Sequence, residues 1–202
     1  MVKAVRIQET GGPEVMLLED VALEPPGPGM VQVVNKAIGL NFIDTYHRSG
    51  AYPLPLPSGI GLEGAGVVEA VGEGVDLAVG DRVAYCTAGF GAYSEALNLP
   101  AARLVTIPRG IDFEQAAAAL LKGQTTEYLL RRTYPLQAQE TCLFHAAAGG
   151  VGLIFGQWAS SIGANVIGTV GSDEKAELAR AHGFKHIIDY RTSTHSGNEV
   201  NT

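Results

Sequence analysis

The segment Ala147-Ala148-Gly149-Gly150-Val151-Gly152 limits the fold more than any other stretch of this chain. It follows the apolar run Thr141 to Ala146 and opens a helix-forming stretch, Gly150 to Ser161. A strand, a glycine turn and a helix in direct succession begin a βαβ unit of a nucleotide-binding fold. Ala147 stands where the first glycine of the usual fingerprint would be. Gly149 allows close approach of main chain to a ligand, and Gly152 allows the helix to pack on the strand. The helix start presents unpaired N–H groups and the positive end of the helix dipole, which suits a pyrophosphate. The unit continues with a strand from Ala164 to Val170, a helix from Asp173 to His182 and a strand from Lys185 to Tyr190. Cys142-Leu143-Phe144 and Val166-Ile167 read as strands covered on both faces.

A literal G-x-G-x-x-G lies elsewhere, at Gly59, Gly61 and Gly64. It follows Pro53-Leu54-Pro55-Leu56-Pro57 and leads into the strand-like Val67-Val68. A phosphate loop needs a strand before it and a helix after it, so these glycines read as turn and corner residues.

The first hundred residues alternate short strands with turns. Strands are expected at Val2–Ile7, Val15–Leu18, Met30–Val34, Val67–Val71, Asp81–Tyr85, Ala92–Leu97 and Leu104–Ile107. Such spacing predicts a partly open β-barrel, interrupted by one helix near Asn41 to Arg48 with Asn41 as N-cap. Ala116–Leu121 and Glu127–Arg132 are helical in period. The expected organisation is therefore α/β plus β: a barrel domain over 1–120, a partial βαβαβ domain over 121–191, and a disordered or non-native polar tail over 192–202.

Composition closes off other classes. Fourteen Lys and Arg stand against 21 Asp and Glu, giving a net charge of −7; a nucleic-acid backbone is a poor main partner for such a chain. No run approaches a membrane span, and the N-terminus lacks the apolar core of a signal peptide. The two cysteines, Cys86 and Cys142, make neither a disulfide framework nor a four-sulfur zinc site. A cytoplasmic protein is the plain reading.

The second strand of the βαβ unit indicates which nucleotide fits. An NAD site places a carboxylate at that strand's end for the ribose 2′-OH. Here Val170 is followed by Gly171-Ser172, with Lys175 one turn into the next helix and Tyr190 ending the third strand. A small residue, a hydroxyl and a cation suit a 2′-phosphate and favour NADPH. Asp173 and Glu174 have a simpler use as first-turn acids behind an N-cap Ser172.

Three further segments carry a resemblance: Asn41-Phe42-Ile43-Asp44-Thr45-Tyr46-His47-Arg48-Ser49-Gly50 with Tyr52-Pro53, Leu121-Lys122-Gly123-Gln124-Thr125, and His145 to Gly152. Together the chain resembles the NADPH:quinone oxidoreductases, the zinc-free, ζ-crystallin-like branch of the medium-chain dehydrogenase/reductases. The resemblance implies a GroES-like barrel followed by a Rossmann domain, with cofactor held between them. It implies that Gly149, Gly150 and Val151 lie under the pyrophosphate, that Gly171, Ser172, Lys175 and Tyr190 hold the adenosine end, and that Thr125 contacts the nicotinamide side. Asn41, Asp44, Tyr46 and Tyr52 would line the nicotinamide and quinone pocket. Zinc-dependent relatives carry a Cys ligand and a Gly-His-Glu motif where this chain has Asn41 and Gly61-Leu62-Glu63, so no metal is expected. The implied reaction is metal-free transfer of hydride, or of electrons, from NADPH to a quinone. Tyrosines or water would supply protons; His47 and His145 are expected to pack. The chain is shorter than family members, which implies an N-terminal portion with doubtful turnover, and a homodimer is possible. An NADPH-dependent enone or alkene reductase, and a non-catalytic, crystallin-like nucleotide-binding protein, are the alternatives.

Overall fold

The β-branched run after Gly29 builds the longest strand, β3 (Met30–Gly39), and the first sheet forms around it. The computed structural model describes residues 1–192 and divides the chain between Leu121 and Lys122. In the first unit, β3 lies antiparallel between β5 (Glu63–Val71) and β7 (Ala96–Pro100), and β6 (Arg82–Cys86) and β8 (Leu104–Thr106) complete the order β7-β3-β5-β6-β8. A second sheet has the order β2-β1-β4, from β1 (Val2–Ile7), β2 (Leu17–Val21) and β4 (Ser58–Gly59). Neither sheet closes on itself, so the barrel is open. Val31, Val33, Val68, Val83, Tyr85 and Leu99 form its core.

Helix α1 (Phe42–Ser49) follows β3, and α2 (Phe113–Tyr128) follows β8. In the second unit, β9 (Thr141–Phe144), β10 (Asn165–Val170) and β11 (His186–Asp189) form a parallel sheet in the order β11-β10-β9. Helices α3 (Gly150–Ile162) and α4 (Asp173–Ala181) are the crossovers. Phe155, Ala159, Val166, Val170, Ala179 and Phe184 make the core, and the Phe144 and Phe155 rings stack at 4.2 Å.

Several expected elements shift. Pro13–Val15 form a turn of 3₁₀-helix, where proline's fixed φ suits a first turn, so the second strand begins at Leu17 and not at Val15. The strand expected at Ala92–Leu97 runs from Ala96 to Pro100, because Gly91 at φ +109° keeps the preceding chain in a loop. Ala116–Leu121 and Glu127–Arg132 are not two helices: α2 is continuous and ends in a π-helical turn, Leu129–Thr133. β9 stops at Phe144, and Leu143 is 48% exposed. The strand is therefore not covered on both faces, and among the described residues it stands at the edge of its sheet. The tail expectation falls, from residue 193 onward, outside the described residues.

Candidate functional site

The turn from β9 into α3 is shaped by close approaches. Gly149 is the N-cap, in extended conformation, and accepts the first helical bond from the Leu153 N–H at 2.9 Å. Gly150, Val151 and Gly152 thus stand where a helix has N–H groups without a carbonyl one turn back. Gly152 is buried, and a Cβ there would overlap the Ala147 carbonyl and come within 2.7 Å of that of Ala146. A Cβ on Gly150 would lie 2.8 Å from Lys122 Cδ, so the Lys122 stem crosses the start of the helix. The left-handed residue of the turn is Ala146, at φ +55°; an alanine there is uncommon and strained.

A cavity of about 350 Å³ opens at this turn, lined by His145, Gly149, Thr169, Gly171, Lys175 and Tyr190, together with Ala146, Ala148 and Val170. Four of the sequence-predicted residues, Gly149, Gly171, Lys175 and Tyr190, therefore share one wall. Tyr190 lies so close over Gly171 that a Cβ at Gly171 would overlap its hydroxyl. Among the described residues no carboxylate lines the cavity. Ser172 caps α4 by accepting the Lys175 N–H at 3.2 Å, so its side chain serves the helix. Gly150 and Val151 lie at the helix start outside the cavity lining, and Thr125 is half-buried in α2. His145 was expected to pack, yet it lines the cavity, its Nδ1 3.2 Å from Thr169 Oγ1.

The other predicted residues lie in the first unit around α1. Asn41 and Asp44 share a cavity of about 320 Å³ with Met16, Phe42, Ile60 and Tyr93. Asp44 is buried: its Oδ2 accepts the Asn41 N–H at 3.0 Å and the Tyr93 hydroxyl at 2.7 Å. These bonds fix the start of α1 and make Asp44 an orienting group. Tyr46 and Tyr52 are not part of this lining. They stand partly exposed, with rings 5.2 Å apart, in a chain of aromatic contacts from Phe42 through Tyr46 and Tyr52 to His47 and Phe90.

Glu63 escaped the sequence reading as a site residue. It is fully buried, accepts the Asn41 side-chain N–H at 2.8 Å and the Leu121 N–H at 2.6 Å, and so ties β5 to the starts of α1 and the middle of α2. Its only sequence signal was its place in Gly61-Leu62-Glu63. Removing one partner from a buried charged network leaves the other donors stranded, at a cost of roughly 3 kcal/mol. Glu63→Ala is expected to lower the urea midpoint of the first unit accordingly and to speed hydrogen exchange at the Leu121 amide; unchanged exchange would show that this carboxylate holds nothing.

Burial raises the phenol pKa of Tyr85 and of Tyr93 above the ordinary value, and for Tyr93 the bond to Asp44 adds to it. Both stay protonated in the folded chain after the unfolded chain has begun to ionise. Their contribution to stability is complete below about pH 10 and declines as pH rises above it. Tyrosinate absorbance is expected to rise in two stages, Tyr85 and Tyr93 ionising only as the first unit unfolds, and Tyr93→Phe should shrink the later stage.

Residues 27–109 match the alcohol dehydrogenase GroES-like domain and residues 150–201 the zinc-binding dehydrogenase domain. A quinone oxidoreductase of Pseudomonas aeruginosa is 60% identical over 192 residues, 94% of this chain and 59% of that protein. Over nearly its whole length the chain is similar to the quinone oxidoreductases. A structure of an Escherichia coli quinone oxidoreductase complexed with NADPH superposes with a TM-score of 0.96 at 48% identity, covering 98% of this chain and 62% of that one. A 2-haloacrylate reductase of Burkholderia sp is 46% identical over 200 residues, 95% of this chain and 60% of its own. The chain thus spans about 60% of the length of these relatives. Zinc needs donor side chains, whereas Leu62 has none and the Asn41 amide is bonded to Glu63. Among the described residues no helix is long and apolar enough to cross a membrane.

Proposed function

We propose that this chain binds NADPH and serves the reduction of a quinone. The observation that carries the reading is the carboxylate-free cavity where Gly149, Gly171, Lys175 and Tyr190 meet at the open end of the glycine turn. A cation, a phenol and a glycine without an acid are the donor set a 2′-phosphate needs and a ribose 2′-OH does not. Gly149, Gly150 and Val151 would carry the pyrophosphate on their N–H groups, Ser172 would keep α4 aimed at the adenosine end, and Thr125 would contact the nicotinamide side. When bound, NADPH supplies the hydride.

The chain's own residues have simpler tasks. Tyr46 and Tyr52 present phenol O–H groups that can bond to a substrate oxygen as its charge develops. Asp44, bonded to Tyr93, holds the helix that carries Tyr46. Asn41 is held in turn by Glu63 and faces the same cavity as Asp44. No general base is required, because water or a tyrosine can deliver the proton to a reduced quinone oxygen.

The 2-haloacrylate reductase likeness favours a second reading, reduction of an activated C=C bond. NADPH oxidation by the chain with para-benzoquinone, and then with a haloacrylate or an enone, separates the two. Oxidation with the quinone and none with the alkenes is expected. NADPH binding with oxidation by neither acceptor would contradict the reading and favour a non-catalytic nucleotide-binding protein. Gel filtration coupled to light scattering decides whether the chain pairs with a second copy.

A further inference from the structure

We propose that His145 is a pH-dependent ligand for the 2′-phosphate, acting with Lys175 and Tyr190; the inference rests on the NADPH reading above. His145 directly follows β9, is exposed, and lines the cavity that holds Lys175 and Tyr190. Its Nδ1 lies 3.2 Å from Thr169 Oγ1 on β10, two residues before Gly171. The ring is therefore anchored to the strand whose end forms the adenosine side of the cavity.

The anchor permits a change of charge in place. A threonine hydroxyl has one donor and two acceptor positions. Thr169 Oγ1 accepts the Ala146 N–H at 3.3 Å, which leaves both its proton and a lone pair. It can donate to Nδ1 of a neutral imidazole or accept from Nδ1 of an imidazolium. In either state Nε2 carries an N–H for a phosphate oxygen, and in the second it carries positive charge as well.

The charges around the ring set the direction of the coupling. Lys175 on α4 lines the cavity, Tyr190 after β11 is its other titratable neighbour, and β9 contributes no charged residue to the wall. Of the acids on these elements, Asp189 and Asp173 are paired with Arg191 at 2.6 and 3.5 Å, and Glu174 and Glu177 stand exposed on α4 outside the cavity lining. Among the described residues no carboxylate stands in the wall, so the negative charge that an imidazolium at His145 would meet there is that of an arriving phosphate dianion. Binding of the 2′-phosphate takes up a proton, and affinity falls as pH rises through the histidine range. Glu140, which precedes β9, is bonded to the Tyr134 hydroxyl.

The test is calorimetric titration of the whole chain with adenosine 2′,5′-bisphosphate and with adenosine 5′-monophosphate, in two buffers of different ionisation heat. Between about pH 6.5 and about pH 8.5 the bisphosphate is expected to lose roughly tenfold in affinity, with proton uptake, as a charge-assisted bond becomes a neutral one. The monophosphate should show no such slope. His145→Gln keeps a neutral donor but cannot carry the charge, and should flatten the bisphosphate slope, its loss of affinity being largest at the acid end. An undiminished slope in that variant, or an equal slope with the monophosphate, overturns the inference and leaves the NADPH reading standing. Failure of the bisphosphate to bind at any pH overturns both.

Discussion

Gly152→Ala is expected to destabilise the second unit by roughly 2 kcal/mol and to remove measurable NADPH binding. Two effects oppose each other. Alanine in a helix interior is favoured over glycine by about 1 kcal/mol. Against this, the new Cβ would overlap the carbonyls of Ala147 and Ala146, which are backbone and cannot turn aside. Forcing α3 off the end of β9 costs roughly 3 kcal/mol, the upper range for overpacking, so the clash wins. Displacing the helix start also moves the N–H groups of Gly150 and Val151 from where phosphates would meet them. Trp158, the chain's single tryptophan, lies in α3 and packs against the core of this unit, so its fluorescence follows the urea transition. Gly123→Ala is the control: a Cβ there meets nothing within 4 Å. In the middle of α2 that substitution should stabilise by about 1 kcal/mol. A Gly152→Ala variant as stable as the parent would mean that the tight approach is absent in solution.

Lys175→Glu is expected to weaken NADPH binding roughly 100-fold, by loss of one charge-assisted bond and gain of one repulsion. NADH binding should change less than about threefold, because its ribose offers no phosphate for the side chain to meet. The fold should be untouched. Lys175 takes part in capping α4 through its backbone N–H, and an acid in the first turn suits the helix dipole. Because Lys175 is exposed, the NADPH preference should narrow as salt is raised. Equal losses for both cofactors would move the site away from the 2′-phosphate.

The strand-turn-helix arrangement was legible because its signals are local: an apolar run, clustered glycines and a helix-forming stretch within twenty or so residues. The false glycine triple was legible as such for the same reason, since Gly59 ends β4 and Gly64 lies in β5, with no helix after them. Long-range partnerships were hidden. Glu63 meets Asn41 and Leu121 across 22 and 58 residues, and no window of sequence shows that pairing. His145 read as a packing residue; the structure places it, just after β9, in the wall of the cavity, where its partner Thr169 lies 24 residues away. The left-handed Ala146 was hidden too, because alanine carries no signal for positive φ. Asn41 as the N-cap of α1 was readable from the polar residue before an amphipathic stretch. That Tyr46 and Tyr52 stand beside one another depends on the chain turning back after Gly50, at φ +82°, and rested on resemblance alone.

The proposed NADPH site turns on the backbone amides between β9 and α3. The most direct measurement is the change in backbone amide NMR shifts of the whole chain on adding NADPH. The largest changes are expected at Gly149, Gly150, Val151 and Gly152, with a second group at Gly171 and Lys175, saturating with NADPH well before they do with NADH. Saturable shifts confined to other residues, or the same saturation with both cofactors, would contradict it.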